Sequence, residues 1–384
     1  MVADQIENYE SQYDRWYKSL EPVVSRWQAV GFFEGVKSEY RRRVMATVLE
    51  NQRLMNDHAS HPDAWTLQQY KRLSIPVVRR VFGNSPFMDW VGVQPMLGPS
   101  CDVFMKDVNG TWDGDAKVAK TRFLKTEWPH ELLNPDSDME SHTRIDLEAE
   151  VVDMLAHDLG DEISREIILD ISRNCTVDTL NLVTTRGQAQ ALSNAFSYSA
   201  ICVRDHIGKH QANWVVASSK MTDLLLSDPE YGLTPKEDLG RERRPAGVFY
   251  VGVLENEHSH LRVYCDSEMQ DNKVLFGYRG NNQEAGYFYM PYVPLTRLSA
   301  HPVGDGTTRH PMMTRYGKFL KRAGSNYYRM VTINNVSFLK DEEPPAEAEE
   351  HSPPLFIDHV EEEPEHSRNS VLIEDEYHND GIIV

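Results

Sequence analysis

Residues 277–298, GYRGNNQEAGYFYMPYVPLTRL, interleave aromatic and β-branched side chains with glycines and prolines. That spacing limits the chain to short strands joined by tight turns, because such side chains suit a pleated surface while Gly and Pro interrupt helices. The tetrad Thr314-Arg315-Tyr316-Gly317 echoes the same pattern. No acid, base or nucleophile stands among these residues in a catalytic spacing. The stretch is structural material.

A chain of 384 residues exceeds the roughly 250–300 at which a single core tends to divide, so two packed domains are expected. The net charge of −19 is concentrated at one end. Residues 341–384 hold fifteen Asp or Glu against one arginine, Arg368, a net of −14 that leaves only −5 for the rest. A mildly acidic body argues against strong, charge-driven nucleic-acid binding, which needs clustered Lys and Arg. Cys101, Cys175, Cys202 and Cys265 stand far apart with no Cys-x-x-Cys among them and are expected to be free thiols of a reducing compartment. The N-terminal sequence has neither a basic n-region nor an apolar run, and no stretch of about 20 apolar residues occurs. Neither secretion by that route nor membrane insertion is expected.

Along the chain, Trp16, Tyr17, Leu20, Val23, Val24 and Trp27 fall at helical spacing before Gly31, and a second helix is expected over 39–55. The polar run 56–68 reads as a linker or extended arm. Residues 90–96, WVGVQPM, read as a strand, as do 101–105, and the polar segment 107–142 is too long for an idle connection. The strongest helix signal is 145–171. Val152, Leu155, Leu159, Ile163 and Ile167 recur at steps of three and four, and such a helix would run roughly 40 Å. Beyond 176 the pattern is mixed α/β, with an antiparallel-looking set of strands at 247–254, 261–265 and 274–278. The run Trp214 to Ser219 reads as a strand ending in a serine helix cap. It lacks the Gly-x-Ser-x-Gly frame of a nucleophile elbow.

No metal, cofactor or catalytic site emerges. His206 and His210 are four apart but have Gly208 between them and no Glu beside the first, and His258 and His260 alternate in a polar turn. Asp107, Asn109, Thr111 and Asp113 mimic the start of a calcium loop, yet Trp112 replaces its glycine and Val118 its bidentate glutamate. Neither a phosphate-binding Gly-x-x-x-x-Gly-Lys-Ser/Thr cradle nor a Gly-x-Gly-x-x-Gly fingerprint occurs.

Two patches resemble, in order, the major capsid proteins of T-even-like tailed phages. Gly92, Val93, Gln94, Pro95 and Met96 follow an Arg-Arg helix, as in that family. Gly277, Tyr278, Arg279 and Gly280, then Ala285, Gly286, Tyr289, Pro291 and Tyr292, then Thr314, Arg315, Tyr316 and Gly317 match its Gly-Tyr-Lys/Arg-Gly, Ala-Gly-x-x-Tyr-x-Pro-Tyr and Thr-Arg-Tyr-Gly motifs. The resemblance implies an α+β chain with the tailed-phage capsid fold of the Hong Kong ninety-seven type, with a long spine helix, an extended hairpin, and peripheral and axial domains. On that pattern the divisions fall at 1–75 (N-terminal arm), 76–108 (peripheral), 109–142 (hairpin), 143–178 (spine helix), 179–285 (axial), 286–340 (return to peripheral) and 341–384 (acidic tail). It implies a non-enzymatic, self-assembling subunit whose hexameric capsomers close an icosahedral head around double-stranded DNA. Its implied partners are further copies of itself, vertex, portal, scaffold and decoration proteins and non-specifically packaged DNA. Its place is the virion, assembled in the bacterial cytoplasm, with no membrane contact. The family's Leu/Ile-x-Glu processing signal has its nearest match at Val48-Leu49-Glu50. Arg279 and Arg315 are candidates for pairing with a carboxylate on a neighbouring subunit. The apolar clusters 355–357 and 381–384 are expected to dock on a neighbouring subunit or an accessory protein. The alternatives are a pentameric vertex or encapsulin-like shell subunit, an enzyme with an unrecognised site on the α/β domain, or an interaction scaffold working through its tail.

Overall fold

The computed structural model describes residues 2–58, 74–129, 147–182, 187–227, 233–235, 247–256, 259–297, 301–302 and 307–336. The acidic tail, His258, and most of the 56–68 linker lie outside the described residues, as does the hairpin beyond Pro129.

Helices form where the sequence is charged and amphipathic. α1 (Val2–Ser19), α2 (Glu21–Ala29) and α3 (Glu39–His58) open the chain. Ser38 caps α3 by accepting the N–H of Arg41 at 3.4 Å, and Glu39 pairs with Arg43 one turn on at 2.7 Å. α3 runs three residues into the stretch expected to be linker. A short α4 (Ile75–Val78) continues into a π-turn over Arg79–Asn84. The spine helix α5 (Leu147–Asn174) has 28 residues, about 42 Å, and buries Leu159, Ile163, Ile167 and Ile171 in one stripe. α6 (Gln188–Ile207) and α7 (Ser219–Leu226) cover the larger sheet, and Ser218 caps α7 by accepting the Met221 N–H.

Two sheets carry the strands. The smaller contains β1 (Gly92–Val93), β4 (Lys120–Pro129), β11 (Tyr287–Arg297), β12 (His301–Pro302) and β13 (Thr307–Leu320). A separate hairpin joins β2 (Ser100–Lys106) to β3 (Trp112–Val118). The larger sheet has the order β5-β14-β10-β6-β9-β8-β7, from β5 (Thr176–Asn181), β6 (Trp214–Ser218), β7 (Leu233–Pro235), β8 (Val248–Asn256), β9 (Ser259–Asp266), β10 (Lys273–Gly277) and β14 (Tyr328–Asn334).

The expectation for residues 90–96 needs correction, and the sheets add detail that the sequence does not carry. The larger sheet is mixed: β8 pairs antiparallel with β9 and β10 with β6, as expected of that set, whereas β6 runs parallel to β9 and β14 parallel to β5. Residues 176–181 and 328–334 also belong to it. Of 90–96 only Gly92–Val93 is strand, since Pro95 has no N–H to give and Gln94 serves as a partner through its side chain. The quasi-calcium run is the β2–β3 turn: Asp107 Oδ1 accepts the N–H groups of Asn109 and Thr111 at 2.9 and 2.7 Å, and Gly110 takes φ +89°.

The aromatic core lies between the sheets' inner faces and the helices. Trp90 stacks on Trp214 at 5.7 Å and meets Tyr264 edge-on at 5.2 Å, all three fully buried.

Candidate assembly site

The two motif patches, far apart in sequence, meet in one sheet. β1 pairs in parallel with β11, placing Gly92 against Phe288 and Val93 against Tyr289. The ladder continues past the strand through Gln94 N–H to Tyr289 O (3.1 Å) and Met96 N–H to Pro291 O (2.9 Å). Gln94, buried, closes the other side. Its side-chain amide donates to Phe104 O and its Oε1 accepts Phe104 N–H at 3.0 Å, so one side chain replaces a missing strand partner. A Cβ on Gly92 would sit 2.6 Å from Asn282 O and 2.7 Å from the Phe288 ring, which accounts for the glycine.

The tetrad is the antiparallel partner of the aromatic run: Met290 faces Gly317, Pro291 faces Tyr316 and Val293 faces Arg315. A register shift falls between Pro291 and Val293, where a strand proline is tolerated. Gly317 leaves room for Met290, and Thr314 donates to Val293 O at 3.1 Å.

Tyr287 and Tyr316 fasten this sheet to the spine helix. Tyr316 donates to Glu166 (2.6 Å) and accepts from Arg122 (2.8 Å), while Tyr287 donates to Asp170 (2.8 Å). Lys318 reaches both carboxylates, at 2.6 and 2.7 Å. Burial and these carboxylates push both phenols far above their ordinary pKa, and burial does the same for Tyr289, so all three stay protonated. Burial opposes the charge on Lys318, but its hydrogen bonds to Asp170 and Glu166 win and its pKa rises.

Around the Gly277–Gly280 turn, Tyr278 donates to Glu284 (3.1 Å), stacks on His210 (5.0 Å) and lies under Tyr327. Gly280 N–H reaches Glu284 O at 2.9 Å. Gly277 packs under Trp214, and Gly286 lies against Gly324. Arg279 is used within the subunit. Its guanidinium donates to Met88 O (2.7 Å) and to Asn282, lies over Tyr40, and its backbone is clamped by Asn213 at 3.1 and 2.7 Å. Arg315 differs: it lies 5.3 Å over Tyr292 and its buried Nε has no partner among the described residues.

Glu50 sits inside α3, 7% exposed, held by Arg26, Arg53 (2.8 Å) and Trp27 Nε1 (3.2 Å). A protease needs an extended segment, and here the helix would first have to unwind. The next residue, Asn51, donates to Met96 O (2.6 Å) and Tyr292 O (2.8 Å), tying α3 to both motif patches. Asn51, Asn213, Glu166 and Asp170 are hydrogen-bond partners of the two patches that the motif matching missed. The four-residue step of Glu166 and Asp170 on one helix face was the only signal available.

His206 lies 3.2 Å from Arg329 and His260 pairs with Glu255 at 2.8 Å. Among the described residues no three His, Cys, Asp or Glu gather as a metal site, and no described helix is long and apolar enough to cross a membrane.

A sequence profile of the Major capsid protein Gp23 family matches residues 105–336, well over half of the chain. The chain belongs to this family. The major capsid protein of Enterobacteria phage T6 is 26% identical over 228 residues, covering 52% of this chain and 43% of that protein. That of Vibrio phage KVP40 is 25% identical over 236 residues, covering 53% and 44%. The matched stretch thus spans less than half the length of these relatives. Among solved structures, the virus-like particle of Pyrococcus furiosus superimposes with a TM-score of 0.43 at 13% identity, covering 69% of this chain and all of that one. The mature capsid of bacteriophage PhiM1 gives 0.39 at 11% identity, covering 66% and 88%. The residues that match, 105–336, are thus those of a major capsid protein family.

One carboxylate of the spine helix gives a pH test. Glu162 Oε2 is buried without a hydrogen-bond partner among the described residues, and burial raises its pKa despite nearby Arg122. Because the folded state holds this proton more tightly than the unfolded chain, stability falls as pH climbs from about 4.3 through the raised value. Glu162→Gln should therefore melt no lower than the parent at pH 7, with the gap closing below about pH 4. A variant that melts lower at pH 7 would show that the charge is needed.

Proposed function

We propose that this chain is the shell-forming subunit of a tailed-phage head, with the Hong Kong ninety-seven type of capsid fold, building hexameric capsomers around double-stranded DNA. The observation that carries it is the meeting of both family motifs, Gly92–Met96 and Gly286–Tyr292, as adjacent strands of one sheet fastened to the spine helix. β4 runs antiparallel along β13 from Tyr316 to Thr307, so part of the segment expected to be the extended hairpin joins this sheet. A subunit built so needs obligate contacts, which bury upwards of roughly 2,000 Å². Negative-stain microscopy with mass photometry tests this: closed shells or hexamers are expected. A chain that stays monomeric at high concentration, with and without scaffold or portal, would overturn it.

Within this function Arg315 is the residue for contact between copies. Its planar fork would meet a carboxylate of the adjacent subunit. Arg315→Ala should lower shell yield about tenfold while leaving the melting temperature unchanged. Arg279→Ala should do the opposite, costing about 1–3 kcal/mol of subunit stability through its lost charged hydrogen bonds. Unchanged assembly in Arg315→Ala would return that arginine to the solvated surface.

A further inference from the structure

Away from the motif sheet, a cleft of about 610 Å³ opens between the α2–α3 connection and α4. Lys37, Arg41, Arg79 and Arg80 line it, and no carboxylate does. Arg41 is spent on Gly83 O and Asp89. Arg79 donates to Glu34 O at 2.6 Å, a neutral carbonyl, and makes no ion pair among the described residues. Lys37 is exposed and makes no ion pair among the described residues. Val36, Ile75 and Pro76 add an apolar patch to this otherwise polar lining.

Such a cleft selects a ligand that is anionic and apolar at once. Phosphate groups of a duplex would meet the cations but leave the apolar patch wet, and the chain's body is itself net acidic. One segment of this sequence has both properties. Leu355-Phe356-Ile357 is followed by Asp358, Glu361, Glu362, Glu363 and Glu365. We propose that this cleft is the dock for residues 355–365 of the acidic tail, the three apolar side chains entering against Val36, Ile75 and Pro76 and the carboxylates meeting Lys37 and Arg79. The preceding stretch 337–354 spans up to roughly 60 Å when extended. Covalent attachment raises its local concentration to the millimolar range, so weak contacts suffice. The docking does not depend on the shell function.

The test uses the full chain and a zero-length carbodiimide, which joins a lysine amine only to a carboxylate in direct contact. Mass spectrometry is expected to find Lys37 joined to one or more of Asp358, Glu361, Glu362, Glu363 and Glu365. The yield should fall at least tenfold in 1 M salt, where the screening length shrinks to about 3 Å. Reversing the tail with Glu361→Lys, Glu362→Lys and Glu363→Lys should speed amide exchange over 31–42 and 75–83 at least threefold. Adding Lys37→Glu and Arg79→Glu to that variant should restore the slow exchange. A Lys37 that joins only other carboxylates, or exchange unmoved by tail reversal, overturns the proposal. So does short duplex DNA that slows exchange over the cleft in the tail-reversed variant, which would make it a nucleic-acid contact. The wild-type cross-link decides the matter even if a variant fails to fold.

Discussion

A chain that begins at Asn51 will not fold. Val44, Met45, Val48 and Leu49 are each 0% exposed. Burying a side chain of that kind is worth about 1.5–3 kcal/mol, so the four together contribute roughly 6–12 kcal/mol. A whole domain has only about 5–15 kcal/mol in hand. α1 lies further out but is also bound in. Tyr13 packs on Phe104 (5.9 Å) and Trp112 (5.2 Å), and the Tyr9 ring occupies the space beside Gly114. Expression of residues 51–384 should give insoluble material or a chain without a cooperative melt, and mass spectrometry of mature particles should recover peptides N-terminal to Glu50. A soluble, assembling 51–384 chain would show instead that α3 is a removable arm.

Gly286→Ala and Gly324→Ala should each lower the melting temperature by several degrees or abolish soluble expression. A Cβ on Gly324 would stand 2.2 Å from Gly286 O, and one on Gly286 would stand 2.6 Å from Gly324 O. Both obstacles are backbone, which cannot rotate aside, so the strand must shift and take the Lys321 N–H to Gly286 O bond (2.9 Å) with it. Overpacking typically costs about 1–3 kcal/mol, and a backbone clash belongs at the upper end. Thermal melts of the two variants check this. A change under about 0.5 kcal/mol in either would mean that the two segments separate easily.

The spine helix was legible because its stripe is local: Leu159, Ile163 and Ile167 recur at the helical period and are buried. The strands of the motif run were legible for the same reason. Pairing was not, since nothing near 176–181 or 328–334 indicates that these segments lie side by side and parallel. Arg279 illustrates the limit at the site. Its motif reads as a candidate for pairing with a neighbouring subunit, yet its acceptor is a carbonyl of the same chain 191 residues away. Glu50 fits a processing signal in three letters, but helix burial is set by Arg26 and Trp27, outside those letters.

The contact of Asn51 with Tyr292 O closes a loop of 241 residues. During synthesis at about 5–20 residues per second, α3 therefore leaves the ribosome some 10–50 s before the strand that covers it. For that interval Val44, Met45, Val48 and Leu49 have no native partner in the smaller sheet, and many identical nascent chains expose the same face. Premature association in that window competes with folding, so the yield of correctly folded subunit is set by how fast the C-terminal strands arrive as well as by the stability they confer.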